Sequence, residues 1–444
     1  MRSRTWLILL VVLVLTAGGA GVWRGLIHAS RPPDVGDAGP GFWVSTRGDD
    51  RAGGTADAPW RTIRHAVASA TAGSRIFVRA GDYEPFTVNR PNLTITSAPG
   101  ERATIVGRSG TRDVVLIAAN SVTVTDLTVR GCVPEPDPDV GVTGDHGSGI
   151  RVHRVSKILI SGVTVRDSAG RNAANLPVGC HGILITESRD VHVTGSQVYH
   201  NGAGIGVTRG GRGVLVDHND VHDQNVIIQN SAARNDDFGG YGLSATFVSD
   251  SPGPVFRANT VRRNYGPSSD YGVDGGGMEL YDANNVTVAA NTFEGNDGVM
   301  ETGTSGASPC AGSVFSGNRA IGGTVAGHDR DTGLVLRCAT GMAITGNTFS
   351  TLSRFTFLLQ TGGDFGGRID DLAITGNTIT RKTGTVVYRL QYASAPPSGL
   401  RIDRNTYRNG AAGFAVLDGL RSETTVPFAG WRARTGFDAG SRAG

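Results

Sequence analysis

Two glutamates stand among residues suited to a buried strand, Glu279 in Gly-Met-Glu-Leu-Tyr and Glu301 in Val-Met-Glu-Thr-Gly, twenty-two positions apart. In a strand whose alternate side chains fill a core, each glutamate faces outward. Two carboxyls held in different surroundings can divide acid and base work between them. Arg337, outward in the later run Leu334-Val335-Leu336-Arg337, is the candidate charge stabiliser. Asp237, Asp274, Tyr241, Tyr271 and Tyr281 lie in the same region and are candidate sugar contacts, the tyrosines offering flat rings with a polar tip. Between Asp236 and Glu301 there are ten acidic and three basic residues, a concentration beyond what solvation of a surface requires. Such a set could cleave a glycosidic bond with Glu279 and Glu301 as the acid and the base or nucleophile. It could instead hold Ca²⁺ through Glu279, Glu301 and Asp274, with the metal acidifying a C–H beside a uronate carboxylate. His146, His153 and His181 are further candidates as proton carriers.

The elements that place these residues repeat along the chain. A phrase recurs as VTDLTV, ISGVTV, VTGSQV, VDHNDV, FRANTV, VAANTF, FSGNRA, ITGNTF, ITGNTI and IDRNTY, with a mean step of about 31 residues and a shortest step of 23. Short apolar strands and turn residues at such a period indicate a solenoid whose coils cannot bury their faces singly. From Asn219 onward the fourth position is always Asn: Asn219, Asn259, Asn291, Asn318, Asn347, Asn377 and Asn405. Stacked in register, those amides can each bond to the next along the axis. Twenty-two residues make about one coil, so Glu279 and Glu301 fall in one outward column with backbones roughly 4.8 Å apart. Arg151, Leu184, Gly206, Ser244 and Val335 are expected in that column as well.

Composition agrees with many short strands and tight turns, with 66 glycines and 7% aromatic residues. The formal charge of +3 is concentrated at the start, where Arg2, Arg4, Arg24 and Arg31 precede the first acid, and the rest sums to −1. No basic run or stripe exists, which argues against a nucleic-acid partner. The opening MRSRTWLILLVVLVLTAGGAGVW reads as a secretory signal with small residues around Ala20, or as an uncleaved membrane anchor. Either reading places the body outside the cytoplasm, secreted or tethered through this segment. Four cysteines, Cys132, Cys180, Cys310 and Cys338, are then expected as disulfides between sequence neighbours.

The expected organisation is a signal or anchor over 1–23, a flexible linker over 24–41, a cap and first coils over 42–90, the β-helix over 91–410 and a tail over 411–444. Apolar Ile63, Ala66, Val67 and Ala70 recur at helical spacing, and Pro59 suits the first turn of that helix.

The entry FWVSTRGDDRAGGTADAPWRTIRHAVASATAGSRIFVRAGDY, the Asn-bearing coils and the tail FAGWRARTGFD together resemble the right-handed parallel β-helix proteins of the pectate-lyase-like class, over residues 42 to 441. The resemblance implies an all-β solenoid of ten or more coils, with the helix at 60 to 70 capping its open end. It implies a tail in which Trp431, Gly436 and Asp438 match the ending of many extracellular glycan-active members. Lyases, hydrolases, epimerases and plain binders share this scaffold, so a non-catalytic glycan-binding or envelope protein stands beside the enzyme reading. Pectate-type lyases commonly use a Lys or Arg base, but Lys157 falls on another side of the coil and Lys382 about three coils from Glu301. Extracellular polysaccharide is the expected partner on every version.

Overall fold

Strands such as Thr287–Ala289 and Thr292–Glu294 each bury a single large side chain, Val288 and Phe293. So little burial cannot hold a strand alone, and each pairs with its equivalent in the next coil. The computed structural model describes residues 41–444 except 109–110, 135–145, 233–236, 307, 324–330, 363–366 and 394–395. The signal or anchor segment, residues 24–40 of the linker and Asp236 lie outside the described residues. Among these residues the strands form three long sheets of 13, 13 and 14 strands, nearly all paired in parallel. One coil runs through Gly276–Tyr281, Thr287–Ala289 and Thr292–Glu294, and the chain then returns as Gly298–Gly303 beside its starting strand. The result is an all-β parallel helix with a continuous apolar core inside the coil. Parallel pairing begins with Gly41–Val44 on Arg75–Val78 and ends with Arg442–Ala443 on Thr406–Arg408.

Polar ladders set the coil register. Asn318 donates from its backbone N to Asn347 Oδ1 at 2.8 Å and from Nδ2 to the Val288 carbonyl at 2.9 Å, while its own Oδ1 accepts from Asn291 N at 2.9 Å. The same pattern links Asn219, Asn259, Asn291, Asn318, Asn347, Asn377 and Asn405. The residue before each of these asparagines has a left-handed backbone, filled by Gly317, Gly346 and Gly376 in three coils and by His218, Ala258, Ala290 and Arg404 in others. That single bend turns the chain between sheets and frees the Asn N–H to point along the axis.

A second ladder, not anticipated from the repeat, lies five residues further on. Asn201 N donates to Gln224 Oε1 at 3.0 Å, Gln224 N to Asn264 Oδ1 at 3.2 Å and Asn264 N to Asn296 Oδ1 at 3.0 Å. Asn296 immediately precedes the strand that carries Glu301, so this ladder locks the corner entering the outward column.

The helix is Ile63–Ser69, with Ile63, Ala66 and Val67 buried. Pro59 is not in its first turn: the Asp50 carboxylate accepts from Arg61 N and Thr62 N at 2.8 and 2.9 Å, holding that stretch extended. Thr62 caps the helix instead, accepting from His65 N at 3.1 Å. At the other end the helix Phe428–Thr435 stops at Gly436 in the left-handed conformation. Trp431, fully buried, stacks on Tyr388 with ring centroids 4.8 Å apart and donates from Nε1 to Asp438 at 2.8 Å. The Trp, Gly and Asp of the tail thus close one packed end of the core. Among the described residues no helix is long and apolar enough to cross a membrane.

Replacing Asn318 with Ala leaves a buried N–H and a buried carbonyl without partners, a loss of about 2–4 kcal/mol. Chemical denaturation should show that fall in stability; an unchanged midpoint would mean the ladder contributes nothing.

Candidate functional site

The outward column of one sheet assembles the site. Successive partners in register are Arg151, Leu184, Gly206, Ser244, Glu279, Glu301 and Val335. Met278, Leu280, Met300 and Thr302 point into the core on either side of the two glutamates. Glu279 and Glu301 are therefore direct neighbours on adjacent coils, both facing outward.

Their surroundings differ. Glu301, 34% exposed, is ion-paired with Arg337, whose Nε also donates to Gln360 Oε1 at 2.8 Å. Gln360 in turn donates to Gln391 Oε1 at 3.0 Å, extending the polar row to the next coil. Two backbone amides, Arg337 N and Cys338 N, donate to Thr302 Oγ1 at 3.1 and 3.2 Å, fixing the strand end from which Arg337 projects. The Cys310–Cys338 bridge pins that end to the preceding turn. Its counterpart, Cys132–Cys180, ends beside His181 at the other side of the site. Both disulfides join the expected sequence neighbours.

Among the described residues no arginine pairs with Glu279. Burial, and then the charge of Glu301, push its carboxyl up to about 8 from an ordinary 4.5. Asp274, at the end of the small hairpin Gly266–Ser268 and Gly272–Asp274, is raised well above the carboxylate range by burial, Glu301, Glu279 and Asp297, against the N–H of Gly275. Burial thus favours the protonated form of both Glu279 and Asp274, while Glu301 stands in an ion pair with Arg337. Tyr241 is buried and stays a phenol, its ionisation opposed by burial and by Asp274, Glu301 and Glu279. Tyr271, near the hairpin tip, is pushed up to about 12 by burial, Asp274 and Asp270. Tyr281 shares the outward face, in register with Gly303 of the next coil.

Glu279 lies at one side of a cleft of about 330 Å³ that also takes in His181, Leu184, Phe238, Tyr241 and Ser244. Sequence reasoning placed Leu184 and Ser244 outward without assigning them a role, and passed over Phe238 in the insertion before Tyr241. An aromatic beside a Gly-Gly pair was the available signal. His153 lines the same cleft, whereas His146 is buried and packs edge-on against Phe238 at 5.4 Å. Asp237 is corrected from a sugar contact to a loop clamp. It is buried, and its carboxylate accepts from Ser231 N at 2.6 Å, Ser268 Oγ at 2.7 Å and Asp270 N at 3.1 Å. Lys157 lies in Ser156–Ser161, on a different sheet from the glutamates. Among the described residues no three His, Cys, Asp or Glu side chains group so as to hold a metal ion.

Residues 113–319 match the family model described as a right handed beta helix region. The solved structure of DFA-IIIase from Arthrobacter chlorophenolicus A6 without its lid aligns with a TM-score of 0.51 at 14% identity, over 87% of this chain and 100% of that one. GH136 lacto-N-biosidase from Eubacterium ramulus aligns with a TM-score of 0.50 at 12% identity, over 85% of this chain and 68% of that one. These likenesses carry the fold. Pectate lyase PEL9 of Emericella nidulans is 41% identical over 96 residues, 22% of this chain and 22% of its own length. The uncharacterized protein YwoF of Bacillus subtilis is 25% identical over 164 residues, 37% of this chain and 29% of its own. The chain thus spans about a quarter of the length of the curated relatives it matches.

Because folding raises Glu279 from 4.5 to about 8, the folded state keeps a proton that the unfolded chain releases. The stability this contributes is complete below 4.5 and is lost as pH climbs to about 8. Glu279→Gln should therefore melt like the parent at low pH and gain on it progressively through that window, in thermal melts across pH. A difference that stays flat with pH would contradict the raised carboxyl.

Proposed function

We propose that this right-handed parallel β-helix cleaves glycosidic bonds of an extracellular polysaccharide, with Glu279 as general acid and Glu301, ion-paired with Arg337, as its partner. The observation that carries the reading is the contrast between neighbouring carboxyls, Glu279 raised by burial to about 8 and Glu301 ion-paired with Arg337. Glu279 gives its proton to the leaving glycosidic oxygen as the bond to the anomeric carbon breaks. Backbones about 4.8 Å apart suit the short carboxyl separation of a retaining pair. Glu301 then forms the bond to the anomeric carbon, and the Glu279 carboxylate takes a proton from the water that displaces it. Arg337 pairs with Glu301 between turnovers. Tyr241, Tyr271 and Tyr281 are proposed sugar contacts, and Asp274, whose burial favours the protonated form, a proposed hydrogen-bond donor to the substrate.

Glycan-active names among the similar proteins, a pectate lyase and a lacto-N-biosidase, support a carbohydrate substrate. Two disulfides support a body exported by residues 1–23. A calcium-assisted lyase would need Glu301 as a ligand, yet its charge is already met by Arg337, and no step is assigned to a metal.

Product analysis on a polysaccharide panel tests the reading. Glu279→Gln and Glu301→Gln should each lower turnover by about 10²-fold or more while binding persists. Activity should fall as pH passes about 8, and a chelator should leave it unchanged. An ultraviolet-absorbing unsaturated product that requires calcium would replace hydrolysis with elimination. Binding without any turnover by the native protein would make it a glycan-binding protein.

A further inference from the structure

Three insertions lead into strands that carry the site: one before His181–Thr186, one before Tyr241–Thr246 and one before Gly276–Tyr281. The first doubles back as Thr164–Arg171 against Pro177–Gly179, and the third is the hairpin that ends in Asp274. The middle one touches both, pairing Ile227 with Val178 and packing Val226 on Gly266. Its Ile228 and Phe238 line the cleft together with Glu279. Backbone meets backbone at these contacts. A Cβ built on Gly266 would lie 2.5 Å from the Val226 carbonyl carbon, and one on Gly240 would lie 2.8 Å from the Asp274 carbonyl oxygen. Glycine permits that approach but offers no side chain to pack, so polar contacts fix the arrangement.

One buried side chain joins all three. Asn230, 2% exposed, donates from Nδ2 to the Pro177 carbonyl on the first insertion and to the Pro267 carbonyl on the third, both at 3.1 Å. Its Oδ1 accepts from Ser269 N at 3.2 Å and from Ser269 Oγ at 2.7 Å, and its backbone carbonyl accepts from Asn172 Nδ2 at 2.7 Å. The side-chain amide thereby uses both its donors and both its acceptor positions. Asp237, also from the middle insertion, holds the same hairpin at Ser268 and Asp270. A hairpin fixed at its tip also fixes Asp274 at its end, within the field of Glu301 and Glu279.

We propose that Asn230 is a positioning residue of this site: it binds the three insertions into one wall that sets Asp274 beside the two glutamates and shields Glu279 from water. This inference rests on Glu279 and Glu301 acting as a cleaving pair, the reaction that the wall would serve.

The test uses Asn230→Leu, which keeps the branching and removes every polar atom of the side chain, and Ser269→Ala, a milder change at an exposed position of the hairpin. Each is made with and without Glu279→Gln, so that an infrared difference isolates the Glu279 carboxyl. Burial raises that carboxyl, so water admitted past a loosened wall lowers it. In Asn230→Leu its protonated-acid band should vanish about one pH unit below the native value, a tenfold change in the proton equilibrium, with Ser269→Ala moving the same way by less. Deuterium exchange should quicken in residues 266–274 and stay at the native rate along the Asn318 ladder. On any polysaccharide the native protein cleaves, kcat should fall about tenfold with KM within about threefold. A band lost at the native pH in both variants overturns the positioning role whatever happens to exchange or kcat, because Asn230 would then be a strut alone. Where Asn230→Leu does not fold, Ser269→Ala decides. Absence of turnover in the native protein sinks the cleavage reading only; the band needs no substrate and still shows whether Asn230 shields Glu279.

Discussion

Stacking of one coil on the next in strict register governs everything else in this molecule. A hydrogen bond between an Asn side chain and the N–H of the Asn one coil earlier tolerates no slip by a residue, because a slip would bury the outward side chains and expose the core. Asn219 through Asn405 impose that condition along one corner, and Asn201, Gln224, Asn264 and Asn296 impose it along another. The second corner leads directly into the strand of Glu301. Position in the sequence is thereby converted into position on a wall.

The electrostatics of the site follow from that constraint. A ladder that forces Glu301 beside Glu279 also forces two carboxyls together in a partly buried place, and among the described residues only Glu301 is paired with an arginine. The proton that Glu279 retains is the least costly way out. Asp274 meets the same field from the hairpin and responds in the same direction. Rigidity matters here, since flexible strands would relieve the repulsion by moving apart. The disulfide at Cys338 and the Thr302 hydroxyl that caps two amides hold Arg337 against that tendency.

Much of this was legible in the sequence because a solenoid writes its register as periodicity. The recurring phrase located the Asn ladder, and alternation around Glu279 and Glu301 located their shared column. What was not legible depends on contacts that periodicity does not encode. The second ladder was not legible because Gln224 interrupts its run of asparagines and because it links only four coils. The helix start was misplaced because Asp50, distant in sequence, holds Arg61 and Thr62 extended. Asp237 looked like one more acid in an acidic loop, whereas its oxygens serve that loop's own amides.

The protonation state of Glu279 bears most directly on the whole account. Infrared difference spectroscopy between the native protein and Glu279→Gln isolates the carbonyl stretch of that one carboxyl. A protonated-acid band at neutral pH, disappearing as pH passes through about 8, is the expected result. Its absence at neutral pH, with only carboxylate bands in the difference spectrum, would mean that both glutamates are ionised and that the pair is not divided into acid and partner.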